Sequence, residues 1–181
     1  MTETQDIYQR LGDQIGEVVK KAVKQAFIIQ GRSLTGALVN SIDYNVNATI
    51  NSAFVEFTLL DYGMILNYGV PANKIPYSPG SGAKSSKYID GLKMYAKLRF
   101  NANDKEAERI AFAIARKHKK FGMPLDGKIG AVQNGIEDSK KEVEDLISAA
   151  ISKLINVLFL SSFADVKKKN SDSLKIKYIE Q

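Results

Sequence analysis

The residue best suited to acid–base chemistry in this sequence is His118, the single histidine of the chain. It stands in the run Arg116-Lys117-His118-Lys119-Lys120, so its neighbours are cations rather than the acid, base or nucleophile that organises a catalytic imidazole. Nearby positive charges lower the pKa of an imidazole, because they disfavour its protonated form. We therefore interpret His118 as a solvated histidine at a helix end, without a catalytic role.

The other residues that could bind a metal or cofactor do not form a recognisable site. The chain has no cysteine, which excludes thiolate nucleophiles and cysteine-based zinc sites. Glu106 and Glu108 are two residues apart and lie on different faces of a helix. The segment Gly80-Ser81-Gly82-Ala83-Lys84-Ser85 lacks the glycine spacing and the preceding buried strand of a phosphate-binding loop. The sequence predicts no catalytic residue, no metal and no cofactor, and hence not an enzyme.

The net charge of +6 is concentrated in the middle of the chain. Residues 84–128 hold 12 lysine and arginine residues against 5 acidic ones, whereas the flanking segments are close to neutral. Such an excess can bind DNA phosphates, dock onto an acidic protein surface or simply solvate helix faces, and all three hypotheses stay open. The candidates for a DNA channel or a docking surface are Arg116, Lys117, Lys119 and Lys120.

Hydrophobic periodicity predicts the elements that position these residues. Apolar spacings of three and four indicate a helix over residues 4–28, and Thr35 can cap a short helix after it. The period then becomes alternating on both sides of a turn at Asn51-Ser52, which predicts an antiparallel hairpin over residues 43–60. The apolar face of this hairpin is predicted to comprise Tyr44, Val46, Ala48, Ile50, Val55, Phe57 and Leu59.

The remaining segments complete a protein of the α+β class. A short helix, capped by Asp61 and ended by Gly69, is followed by a loop over 70–86. Two helices come next, the first starting at Ser86 or Asp90 and the second at Asp104. A loop over 125–136 then leads to an amphipathic helix over 137–163. The predicted fold is an antiparallel hairpin packed against amphipathic helices, with long N- and C-terminal helices and an extended C-terminal arm. Residues 1–163 would form one domain, and residues 164–181 the arm.

Several segments point to contacts with other proteins. The helix over 137–163 is either a core element or a nearly heptad-like seam between subunits. The loop 70–86 offers little apolar area of its own, so we expect neighbouring subunits to order it, with Ile75 and Tyr77 as anchors. Tyr62 and Tyr68 are interface candidates with Tyr77, although tyrosines interleaved with lysine can also stack on bases.

The C-terminal arm and the ends of the chain give further expectations. Leu174, Ile176 and Tyr178 alternate with polar residues like a strand, which could add to the sheet edge of a neighbour. The N-terminus is polar and acidic, unlike a signal peptide. The sequence shows no run of about 18 apolar residues that would span a bilayer. We therefore expect a soluble protein of the cytoplasm with no membrane partner.

An ordered set of segments resembles the head–tail connector and tail-completion proteins of tailed bacteriophages. That family has a Gly-x-Leu-x-x-Ser-Ile helix, a hairpin, a short helix with a loop, a turn ending in proline and a final helix. The matching segments are Gly36–Ile42, Asp61–Gly69, Lys74–Pro76, Ile114–Pro124 and residues 137–163, and the resemblance covers roughly residues 31–160.

The resemblance implies a function that resides in interfaces. Proteins of this family form rings of identical subunits in the neck of the virion, below the portal or at the tail top, and carry no active site. It implies a ring of 12 or 6 copies, assembled in the host cytoplasm, that contacts portal, neck or tail proteins and touches packaged DNA non-specifically. The competing hypothesis, from the charge alone, is a basic nucleic-acid-binding protein that acts in the host cell.

Overall fold

The computed structural model of the chain describes residues 2–80 and 86–179, with side chains through residue 168. Its elements are α1 (Glu3–Ile29), α2 (Ala37–Ser41), β1 (Asp43–Ala48), β2 (Ala53–Thr58), α3 (Asp61–Tyr68), a 3-10 turn (Ala72–Lys74), α4 (Lys87–Phe100), α5 (Asp104–Phe121) and α6 (Ala131–Ile179). The two strands form one antiparallel sheet, and the described chain is mostly helical with a long helix at each end. The predicted α+β class is confirmed.

The residues cluster into two compact units that share the long helices. The first unit comprises residues 1–19, 44–57 and 139–181, and the second comprises residues 20–43 and 58–138. The predicted extent of one domain over residues 1–163 stays a prediction. No element ends at residue 163, however, because α6 continues through it.

In the first unit, the hairpin packs one face against α1. Exposed and half-buried residues alternate along β1 and β2, and the rings of Tyr44 and Phe57 meet across the strands with centroids 6.1 Å apart. Gly12 and Gly16 of α1 face Val46 and Tyr44, and a methyl group at either glycine would collide with these side chains. The helix therefore approaches the sheet closely because its contact face carries two residues without side chains.

The predicted apolar face of the hairpin is confirmed for its central residues and wrong at one end. Tyr44, Val46 and Ala48 share the half-buried face, as do the residues opposite them on β2. Ile50 is exposed, because β1 ends at Ala48 and the polar turn that follows has its own hydrogen bonds between Thr49 and Ser52. Leu59 lies just beyond the end of β2 and is half-buried.

In the second unit, helices pack around a small apolar core. The buried apolar side chains there include Phe27, Leu38, Ile42, Ile75 and Ile89, together with Ala96, Ala107, Ala111 and Ala115. The three alanines of α5 are four residues apart and so lie on one helix face. Because this face is built from small side chains, α4 and α5 pack closely side by side.

A short backbone pairing ties the segment after α3 to the end of α5. The amide of Val70 donates to the carbonyl of Met123 at 2.7 Å, and the amide of Met123 donates to the carbonyl of Val70 at 2.9 Å. Gly69 and Gly122 flank this pairing with φ angles of 75° and 81°. A Cβ on either glycine would lie 2.7 Å from a backbone oxygen of the opposite segment. Both positions therefore require glycine on two counts, conformation and space.

The last helix is longer at both ends than the sequence predicts. It begins at Ala131 rather than near residue 137, although Gly135 lies within it, because Gly135 packs against the backbone of Val23 with no room for a Cβ. It continues to Ile179, so the predicted end near Phe163 and the predicted strand over 174–179 are wrong. Residues 164–179 contain no proline or glycine to stop a helix, and a lone strand has no pairing partner within the chain.

Several predicted helix caps are displaced by one residue. Ser86 caps α4 as predicted, and its hydroxyl accepts from the amide of Ile89. Asn103 rather than Asp104 caps α5, where it forms a reciprocal capping box with Glu106. The cap positions of α2 and α3 are Gly36 and Leu60, so Thr35 and Asp61 do not hold them.

The substitution Gly122→Ala tests the backbone pairing at Val70. We expect it to lower the free energy of unfolding by about 2–4 kcal/mol, because it adds left-handed strain and a clash with the carbonyl of Val70. Gly127→Ala isolates the strain, since Gly127 has a φ of 66° but open space around it, and should cost only about 1–2 kcal/mol. Equal losses for the two variants in urea titrations would contradict the role of the close approach.

The substitution Val46→Asp tests the packing of the hairpin on α1. A carboxylate on the half-buried face opposite Gly12 should lower the free energy of unfolding by about 2–4 kcal/mol. The control Asn47→Asp places the same group on the exposed face of the same strand and should change stability by less than about 0.5 kcal/mol. Chemical denaturation of both variants, monitored by circular dichroism, measures the difference.

Candidate interaction surfaces

His118 lies inside the protein rather than in solvent. The residue is only 9% exposed, and its Nδ1 shares a hydrogen bond of 2.7 Å with the hydroxyl of Tyr88 on α4. Burial lowers the pKa of His118 below its ordinary value of 6.5 and raises the pKa of Tyr88 to about 12. The pKa of His118 is lowered as predicted, but by burial rather than by the neighbouring cations. The prediction of a solvated side chain is wrong, because α5 turns this residue toward α4.

The four cations around His118 lie in different environments, because α5 turns them in different directions. Arg116, Lys117 and Lys120 are exposed, and Lys120 lies 5.0 Å from the ring centroid of Phe121. Lys119 is half-buried, and its ammonium donates to the carbonyl of Ile75 at 3.2 Å. Three of the four predicted DNA or docking candidates are thus available to a partner, whereas Lys119 holds the loop before α4.

The residues predicted to anchor neighbouring subunits also separate into two groups. Tyr62 and Tyr68 are exposed, the latter by 63%, and so could contact a partner. Ile75 is only 3% exposed, and the half-buried Tyr77 packs against Phe112 with a centroid distance of 6.3 Å. The described part of the loop is therefore held by its own chain, contrary to the expectation that neighbours order it.

The remaining interface candidates belong to the end of α6. Leu174, Ile176 and Tyr178 fall within the helical backbone of α6, but their side chains lie outside the described residues. Their assignment as interface residues stays a prediction. Lys84 and the glycine-rich segment over residues 81–85 likewise lie outside the described residues.

A large apolar groove opens between α3, α4 and the loop after α1. Its volume is about 910 Å³, within the range of binding sites for ligands and peptide side chains. Its apolar lining includes Leu34, Tyr62, Ile65, Leu66, Ile75, Tyr88, Leu92, Met94, Tyr95, Leu98 and Met123. Met94 and Leu98 on the α4 wall remain more than half exposed. This groove was not predicted from the sequence, because its walls come from segments that are distant along the chain.

The second exposed apolar surface runs along α6. One side of this helix faces its own unit, with Ala150 buried and Leu146, Leu154 and Val157 half-buried. An adjacent side, here called the outer stripe, consists of Ile147, Ile151, Ile155, Leu158, Phe159, Phe163 and Val166, all of them exposed. The core interpretation of this helix therefore holds for one side only, and the outer stripe is the side available as a seam.

By length and composition, α6 could also cross a membrane. Within Ala131–Lys168 its mean hydropathy reaches 1.8 over an 18-residue window, of which 6% is buried. The expectation that the chain has no stretch of this kind is wrong. Single polar residues interrupt the apolar run, but its mean hydropathy stays high enough for a helix that spans a membrane. Among the interrupting residues, Ser148 and Ser152 bond back to carbonyls one turn earlier.

Neither clustered ligands nor similarity to known proteins indicates another kind of site. Across residues 2–80 and 86–168, no group of three His, Asp or Glu side chains is placed to hold a metal ion. Comparison of the chain with protein-family models, curated proteins and solved structures found no match. The groove, the outer stripe of α6 and the exposed cations of α5 are thus the candidate functional surfaces.

The burial of His118 predicts a specific dependence of stability on pH. Because its pKa is lower in the folded chain than in the unfolded chain, unfolding takes up a proton below about pH 6.5. Stability should be fully present above that pH and fall, by at most about 1.4 kcal/mol per pH unit, as the pH drops.

The absence of other histidines makes this effect easy to isolate. His118→Gln should remove the slope between pH 7.5 and 5.5 in denaturant titrations, since no other side chain has an ordinary pKa in that window. The single imidazole resonance in a proton NMR titration should report a pKa below 6.5 in the folded chain. An unchanged slope in the variant would exclude His118 as its source.

Proposed function

We propose that this protein is a structural subunit of a tailed-bacteriophage virion, which forms a ring as a head–tail connector or tail-completion protein. The observation that carries the proposal is the outer stripe of α6, a long apolar surface that the described residues leave uncovered. Monomeric soluble proteins rarely expose apolar patches of this extent, so such a surface marks an interface. The order of segments that resembles the connector family supports a ring as the form of the assembly.

A protein partner fits the outer stripe better than a lipid bilayer. On one side of the helix Ala150 is buried and Leu154 is half-buried, so hydrocarbon could not surround this stretch on every side. A third side carries the exposed Lys153 and Asn156 in the middle of the apolar stretch. A lysine at the centre of a bilayer is costly, so α6 is better suited to a boundary between proteins.

The exposed cations of α5 favour a second candidate function, a basic protein that binds nucleic acid in the host cell. Arg116, Lys117 and Lys120 project from the last turns of α5 and would bind phosphates without reading bases. In a ring the same charges would repeat in every subunit, where they would face DNA in the channel, an acidic surface of the adjacent ring or solvent. The two functions differ in whether the free chain binds DNA tightly.

Loss of the protein should uncouple heads from tails if the connector proposal is correct. A phage that carries a stop codon early in the coding gene should produce filled or emptied heads and free tails, which electron microscopy distinguishes. Adding purified protein to such a lysate should restore joined particles and infectivity. Normal joined particles that lack the protein would contradict the proposal.

Replacing Arg116, Lys117 and Lys120 with glutamine separates the three roles of the basic surface. Particles that assemble but lose DNA would indicate a channel, and particles without the ring would indicate docking. Particles that assemble and retain DNA normally would indicate that these side chains are only solvated. If the free chain binds DNA, its log–log salt slope should fall by about 0.9 for each phosphate contact removed. The matched control replaces the exposed Lys21, Lys105 and Lys128 with glutamine, which removes the same charge away from both the end of α5 and α6.

A further inference from the structure

We propose that the groove between α3 and α4 of one copy binds the outer stripe of α6 of a second copy, head to tail. This inference rests on the proposed function, because it identifies the contact that would build the ring. It matches two surfaces of one chain, an apolar groove and an apolar helix face, neither of which is covered by the described residues. An amphipathic helix that lies in an apolar groove is a common mode of recognition between proteins.

The groove has the shape and surface that such a helix requires. Its α4 wall presents exposed Met94 and Leu98, and Tyr62 and Ile65 of α3 lie at the other side. Gly91 on α4 also lines the groove, and a Cβ placed there meets no atom within 4 Å. A glycine inside an exposed helix costs stability, and here it leaves open volume that an incoming side chain can fill.

The charges at the two surfaces are complementary. The lining residues of the groove include Arg32, Lys74 and Lys87 and no carboxylate. Arg32 is engaged by Asp126 at 2.7 Å, whereas Lys74 and Lys87 are exposed on the rim. Such a rim favours a partner segment with negative charge beside its apolar face.

The start of the outer stripe carries that negative charge. Glu142, Glu144 and Asp145 are exposed, and with Lys141 they give residues 141–145 a net charge of −2. The exposed apolar side chains follow at once from Ile147 onward. Docking of this region would place isoleucine side chains in the groove and carboxylates next to the lysines of its rim.

The direction of this contact has a consequence for assembly. Because the groove and the stripe are different surfaces, each copy can bind one neighbour through its groove and another through its stripe. The contact therefore repeats from copy to copy until the ring closes. A symmetric pairing of two α6 stripes would instead stop at a dimer and leave the groove empty. A lipid surface would also leave the groove empty, and it would not require the lysines of the rim.

The first test fills the groove without touching the core. Gly91→Phe places a ring in the open volume, and the control Gly91→Ala adds only a methyl group. We expect both variants to unfold at or above the temperature of the unmodified chain. In sedimentation velocity, Gly91→Ala should assemble like the unmodified chain, whereas Gly91→Phe should weaken self-association at least about tenfold.

The second test mixes two variants that are each defective on one surface. Ile155→Glu changes a side chain that is 59% exposed on the outer stripe, so the fold should be retained while assembly is lost. A mixture of Ile155→Glu and Gly91→Phe has one intact groove and one intact stripe. It should form 1:1 dimers that do not grow, which only a head-to-tail contact produces.

The third test exchanges the charges. Lys74→Glu with Lys87→Glu should weaken assembly at least about tenfold, and so should Glu144→Lys with Asp145→Lys. A chain with all four changes should assemble to within about threefold of the unmodified protein, since the opposite charges again meet. If the lysines act only by binding phosphates or lipid headgroups, the four changes together should not restore assembly.

The outcomes separate this interface from the proposed function. If the unmodified chain assembles and Gly91→Phe assembles equally well, the groove proposal is overturned while the ring function stands. If Ile155→Glu abolishes assembly while Gly91→Phe leaves it unchanged, the stripe binds a surface other than the groove, and the proposal is again overturned. If the unmodified chain stays monomeric at every concentration and instead co-sediments with phosphatidylcholine and phosphatidylglycerol vesicles, both the interface and the ring function fail.

Discussion

A junction of hydrogen bonds at the end of α3 and just after it holds the second unit together. Asn67 is buried, its carbonyl accepts from the amide of Gly130 at 2.7 Å, and its side-chain oxygen accepts from the amide of Val132 at 2.8 Å. Three residues later Val70 pairs with Met123. One short segment thus binds both the end of α5 and the beginning of α6. Because α3 and Met123 also line the groove, the shape of the groove depends on the same junction.

The same junction explains where α6 begins. Its first amides are free of partners within the helix, and Asn67 supplies one from another element, which lets the helix begin before its amphipathic part. From Ala131 onward no proline occurs, and Gly135 is accommodated by close packing on Val23. Along the part of α6 whose side chains are described, the apolar residues from Ile147 to Val166 on its outer stripe stay exposed. Its uncovered apolar side is the physical reason to look for function at an interface.

Many local elements could be predicted because their signals are local. The alternation in the hairpin and the apolar spacing of α1 are set by which residues follow one another, and both elements form as predicted. The cap of α5 was missed by one residue, since Asn103 and Asp104 are adjacent and both suit a cap; the reciprocal bond to Glu106 decides for Asn103. The prediction of a strand at 174–179 is wrong, because alternation of apolar and polar residues does not stabilise a strand that has no other strand to pair with.

The fold class, most helices, the hairpin, the concentration of basic residues and the lack of cysteine chemistry could all be predicted from the order of the amino acids. These properties depend on composition and on short-range order, which a sequence displays directly. Three other features became visible only in the folded chain: His118 is buried against Tyr88, Lys119 binds the carbonyl of Ile75, and Ile75 belongs to the core. The folded chain likewise shows that one apolar side of α6, around Ala150, is covered, whereas the outer stripe is exposed. Each of these outcomes depends on which distant segments meet, and burial is a property of that meeting rather than of the residue.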